Sequence, residues 1–170
     1  MSSTSWFLGI CLSLLAPLLV GCGASIAFED DSNSQVKSKF LLSEEPSGAI
    51  GVAEAKQRLE KNNDVVLLGR IEAGEFAPWD DGKASFLITD ATIEHHHHAD
   101  DHECAFCKGK KDPLEMMAIV RFLDDDMKVL SIDARELLGV KEKQLVVVRG
   151  RGEVDDLGQL TVSADGIYLR

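Results

Sequence analysis

The sequence predicts an all-β domain of small helical content. Five strands close into a barrel, with one short helix between the third and fourth strands and another short helix ahead of the first. Three observations carry this reading. Five β-rich runs recur between Val65 and Leu169, separated by clusters of Asp, Asn, Gly and Pro that mark turns. Between the third and fourth runs lies Asp133–Gly139, with helix start and stop signals at its two ends. Gly150 and Gly152 interrupt the valine-rich run Leu145–Val154, as a strand coiled tightly around a barrel requires.

Taken in order, Val52, Ala55 and Leu59 recur at helical spacing and place an amphipathic helix within residues 48–63, ended by Asn62, Asn63 and Asp64. Val65–Ile71 is the first strand, its Gly69 suited to a bulge or bend. Gly74–Lys83, with Pro78 and Asp81-Gly82, is a turn region in which Trp79 is read as covering one end of the barrel. Ala84–Ile93 is the second strand, and a His/Cys-rich insertion at residues 94–115 separates it from the third, Met116–Leu123. Asp124, Asp125 and Asp126 lack the alternation and closing glutamate of an EF-hand calcium loop and read as a turn. Asp133 as N-cap with Glu136 three residues on forms a capping-box pattern, and Gly139 ends the helix. Leu145–Val154 and Gln159–Leu169 are the last strands, joined by a turn at Asp155–Gly158.

This element order over residues 64–170 resembles the OB-fold, with all strand pairs expected antiparallel. In particular the chain resembles exported bacterial OB-fold domains. It is similar to a group of bacterial lipoproteins of no known activity through Asp133-Ala134-Arg135-Glu136-Leu137-Leu138-Gly139 and Ala164-Asp165-Gly166-Ile167-Tyr168. The resemblance implies a fold and a compartment, and no reaction. It also makes the turn around Phe76–Trp79 a place where such domains carry binding residues.

The ends agree with export. Trp6–Val20 is an apolar run of signal-peptide length, short of the roughly 20 residues a membrane helix needs. Leu19-Val20-Gly21-Cys22 resembles a lipobox. Residues 1–22 are then a lipoprotein signal, and Cys22 is the acylated first residue of a chain anchored to the cell envelope. Cleavage after Ser25-Ile26-Ala27 is the rival reading, which releases a soluble periplasmic or secreted protein. Residues 23–47, rich in Ser, Glu and Asp, read as a flexible tether. The formal net charge of −11 repels phosphate backbones and argues against nucleic acid as a partner.

The chemistry is concentrated in one place. Of four cysteines and five histidines, every histidine and the two cysteines beyond the N-terminal segment fall within Glu94–Lys111. Imidazole and thiolate are the ligands preferred by zinc and copper. Cys104 and Cys107 place two sulfurs on one tight turn, where both can reach an ion at about 2.3 Å. His102 is two residues away, and one of His95, His96, His97 and His98 completes a tetrahedron. The run does not say which one, because alternate residues of an extended segment face opposite ways. The spacing is not that of a standard zinc ribbon. Haem attachment lacks its histidine after Cys107, and a thioredoxin-like role lacks its βαβ setting.

Two functional readings follow. In the first, a membrane-anchored envelope protein binds zinc or copper through this loop for sensing, buffering or delivery. In the second, Cys104 and Cys107 form a structural disulfide, as an oxidising compartment permits, and the barrel is an interaction module for a protein or cell-wall partner. Neither is an enzyme. No nucleophile triad, nucleotide loop or carboxylate pair is evident, leaving a metal-hydroxide hydrolase as the remaining catalytic option.

Overall fold

The computed structural model describes residues 29–59, 63–92 and 113–170. Five strands, β1 (Asp64–Ile71), β2 (Ser85–Asp90), β3 (Met117–Phe122), β4 (Leu145–Val154) and β5 (Leu160–Leu169), close into a barrel in the order β1-β2-β3-β5-β4. This is an OB-like, all-β architecture. The alternation of Val65, Leu67, Gly69 and Ile71 inward with half-exposed residues between them is the period-two pattern of a strand with one buried face. Phe86, Ile88, Val120, Phe122, Val146, Val148, Leu160 and Val162 fill the interior from the other strands.

One pair departs from the antiparallel expectation. β3 and β5 run parallel, from Ala118 beside Leu160 to Phe122 beside Ala164. The reason is parity: an odd number of strands cannot alternate direction all the way around a closed ring. The mismatch falls where β5 returns to close on β3.

The glycines act by close approach. A Cβ on Gly150 would stand 2.3 Å from the Ser163 carbonyl oxygen and 2.8 Å from the Ala164 Cα. The β4–β5 register slips at this point between Arg149 and Gly150. The slip leaves Asp165 exposed on the outer face, where it accepts a hydrogen bond from Arg149 Nε at 2.6 Å. Of the bulge or bend expected at Gly69, no bulge is present: its register is unbroken, opposite Asp90 on one side and Val146 on the other. A Cβ there would instead meet the Ile88 Cδ1 at 2.8 Å.

Helix α3 (Ala134–Leu138) closes one end of the barrel with Ala134, Leu137 and Leu138. Asp133 caps it by accepting from the Arg135 N–H, and Gly139 ends it in the left-handed region at φ 75°. Asp133 caps as expected, but through the Arg135 N–H, one residue before the Glu136 N–H that a capping box uses. The side chain that returns to Asp133 is Arg135, which also reaches Asp81 at 2.7 Å and lies 5.3 Å from the Trp79 ring centroid. Trp79 packs edge-on against Phe86 at 5.9 Å and covers this end of the barrel, while Phe76 beside it is exposed. Asp124 accepts from the Asp126 and Lys128 N–H groups at 2.9 Å, so its carboxylate closes a turn.

The guanidinium of Arg135, hydrogen-bonded to Asp133, holds the aspartate carboxyl well below its usual range. Because the folded-state value is depressed, the stabilisation is present above the ordinary Asp range and is lost as pH falls through the folded value. Asp133→Ala is expected to cost about 1 kcal/mol at neutral pH, the usual cost of a lost N-cap. The cost should shrink under strong acid, as read by urea unfolding at both pH values.

The N-terminal region differs most from expectation. In place of a tether throughout residues 23–47, the chain forms helix α1 (Glu29–Phe40) and then a strap, residues 41–51, laid across the barrel. Phe40 is buried edge-on against Phe122 at 5.0 Å. β5 runs on past the end of β3, and there Leu41 bridges Ile167 while the Leu42 N–H donates to the Ile167 carbonyl at 2.8 Å. β1 begins before its pairing with β2, and there Ile50 exchanges hydrogen bonds with Val66 and Leu68 at 3.0 and 2.9 Å. The strap thus satisfies backbone edges that the shear of the barrel leaves open. Arg170 Nε donates to Glu45 at 3.0 Å and ties the strap to the end of β5. Composition concealed this arrangement, because Phe40, Leu41 and Leu42 are a short apolar group in a polar stretch.

Helix α2 (Val52–Arg58) follows the strap, inside the expected range 48–63 and with the predicted face inward: Val52, Ala55 and then Leu59 are buried.

Candidate metal centre

The side chains nominated as ligands, His95, His96, His97, His98, His102, Cys104 and Cys107, lie outside the described residues, as do Cys22 and the rest of the export signal. The structure describes the frame from which the loop springs. Thr89 of β2 is paired with Met117 of β3, so the chain leaves the barrel after Thr92 and re-enters at a 3₁₀ turn, Pro113–Met116, beside its point of departure. This is the end of the barrel opposite α3. The β4–β5 turn lies here too, since Gln159 Nε2 donates to the Met117 carbonyl at 3.3 Å. Helix α2 is joined to that turn by Lys56 Nζ, which donates to the Gly158 carbonyl at 2.8 Å.

The departing root is held by Asp90, a carboxylate only 2% exposed. One oxygen accepts the Ala53 N–H at 3.0 Å, so Asp90 serves as a tertiary cap on the first turn of α2. The other accepts the Thr92 N–H at 2.9 Å and the Thr92 hydroxyl at 2.5 Å. Gly51 makes this possible, for a Cβ at that position would lie 2.5 Å from both carboxylate oxygens. Asp90, Thr92 and Gly51 were not singled out from the sequence. The available signal was the Asp-x-Thr spacing of an Asx-turn at a strand end.

The barrel itself supplies no imidazole or thiol, because every histidine and cysteine lies in the loop or before residue 23. Among the described residues no group of three or more His, Cys, Asp or Glu side chains is placed to hold an ion. Asp90, the buried carboxylate at the departing root among the described residues, already has both oxygens engaged. An ion bound here must therefore take its nitrogen and sulfur ligands from within the loop.

Elsewhere, a cleft of about 560 Å³ lies between the strap, α2, β1, β4 and β5, with Arg58, Asp64, Arg149 and Asp165 on its walls. Arg149 is paired with Asp165 and Arg58 with Glu54, so its cations already have partners. No protein-family model matches the sequence and no curated protein is found similar to it, so the reading of the loop rests on its own residue chemistry.

Proposed function

We propose that the protein is a lipid-anchored envelope protein whose β2–β3 loop binds one zinc or copper ion, for sensing, buffering or delivery. The observation that carries this is the segregation of ligand types: a barrel without a histidine or cysteine carries one loop that holds five histidines and a Cys-x-x-Cys pair. Adjacent, hydrogen-bonded roots favour binding, because they limit the freedom that the loop must lose when an ion gathers its ligands. Two thiolates with one or two neutral imidazoles make a tetrahedral set suited to Zn²⁺ or to a soft copper ion. The loop's acidic residues, Glu94, Asp100, Asp101 and Glu103, raise the local cation concentration.

Elemental analysis of protein purified without a nickel column, together with thiol titration of the unreduced protein, tests this reading. Bound zinc or copper at one ion per chain, with thiols that become titratable on chelation, supports it. A closed Cys104–Cys107 disulfide with only weak uptake by the histidines supports the interaction-module reading instead. The anchor is tested separately. Cys22→Ser should shift the protein from the membrane fraction to the soluble fraction, whereas a mature chain beginning at Phe28 would establish cleavage after Ala27 and a soluble protein.

A further inference from the structure

We propose that Asp90 is a positioning residue whose carboxylate couples the root of the β2–β3 loop to helix α2 and the strap before it. Three donors converge on this buried group from two separate parts of the chain: the Ala53 N–H from α2, and the Thr92 N–H and hydroxyl from the loop root. The two Thr92 donors hold one oxygen and fix the carboxylate plane, which points the second oxygen at Ala53. Gly51 lets the helix start come close enough to be held. One residue further back, Ile50 accepts the Leu68 N–H at 2.9 Å, so the same short path reaches the β1 edge.

A change that loosens Thr92 therefore frees the carboxylate and weakens the cap on α2, and a change that orders the loop tightens both. The second half of this statement rests on the metal reading. Linkage makes the effect reciprocal: whatever ion binding contributes to the strap, an intact strap returns to ion affinity.

Amide hydrogen exchange on the full-length folded protein tests the coupling, first without metal. Thr92→Val removes one donor and keeps the side-chain shape. Exchange at Ala53 should quicken about three- to tenfold, the scale of a weakened helix cap. The Leu137 amide in α3, at the other end of the barrel, should be unchanged and so separate local coupling from general destabilisation. Asp90→Asn, which can no longer accept at both positions, should quicken Ala53 and Thr92 together. Zn²⁺ is then added. In the wild type it should slow exchange at Ala53 and Leu68, and in Asp90→Asn it should bind without slowing either.

Unchanged exchange at Ala53 in Thr92→Val overturns the proposal, as does zinc uptake by the wild type with Ala53 and Leu68 unmoved. Failure of the wild type to take up zinc at all sinks the metal reading alone, because the metal-free comparison still decides the coupling.

Discussion

Replacing Cys104 and Cys107 together by serine is expected to lower zinc or copper affinity on the order of a thousandfold. A structural zinc site contributes roughly 10–16 kcal/mol through four ligands, and this change removes the two that carry charge. Neutral imidazoles complete the shell but do not replace thiolates for a borderline or soft cation. A single His→Ala within His95–His98 should cost less than about tenfold, since a neighbour can take the vacated position. Competition titration against a chelator of known affinity reads both. Affinity in the wild type should also fall as pH drops through the histidine range near 6.5, where protons occupy the same nitrogens. A double-serine variant that binds as tightly as wild type would leave the Cys pair outside the site and reduce the histidine run to a weak surface chelator. In either outcome the barrel should remain folded, because no barrel side chain is a nominated ligand.

The largest effect on stability is expected at Gly150. A methyl group there meets the Ser163 carbonyl oxygen at 2.3 Å and the Ala164 Cα at 2.8 Å, both backbone atoms of β5. Neither can rotate away, so relief requires β4 and β5 to part where they already change register. Gly150→Ala should cost about 3 kcal/mol, the upper range of overpacking and a sizeable share of the 5–15 kcal/mol that holds a typical domain folded. At roughly 4–8 °C per kcal/mol, the melting temperature should fall by more than about 10 °C. Gly69→Ala should cost less, because its nearest neighbour is the movable Cδ1 of Ile88. Thermal and urea unfolding of the two variants side by side would test the ranking. A Gly150→Ala protein as stable as wild type would mean that β4 and β5 can part at this crossing at little cost.

Much of the barrel was legible because strands announce themselves by composition and period. Leu145–Val154 was read to the residue, and α3 was readable from the capping oxygen of Asp133 and the positive-φ freedom of Gly139, which favour the two ends of a helix. The parallel β3–β5 pair was also implicit in the count of strands, although local patterns carry no direction. Edges are another matter. Leu41 and Ile50 act through their backbone groups, which every residue possesses, so no periodicity marks them. The loop is the reverse case. Its residue types mark candidate ligands, but which imidazoles would meet an ion depends on a path that the sequence does not encode locally. Asp90 was missed because a carboxylate ending a strand looks like any solvated turn residue until its partners, thirty-seven residues upstream and two downstream, are seen.

The helix and strap ahead of the barrel also bear on geometry at the membrane. With Cys22 as the anchor, only the six residues Gly23 to Phe28 separate the lipid from α1. Fully extended, that spacer reaches roughly 25 Å, less than the width of about 35 Å expected for a globule of this size. On the proposed anchoring at Cys22, such a domain would pivot against the bilayer and would not range freely above it. α1 packs on α3 and β5, whereas the loop leaves the barrel at the end remote from α3. Helix α1 and the two roots of the loop, at Thr92 and Pro113, thus lie toward opposite ends of the barrel. Under the anchored, metal-binding reading proposed above, a carrier embedded in the same membrane would have to extend a domain of its own to reach the roots of the loop.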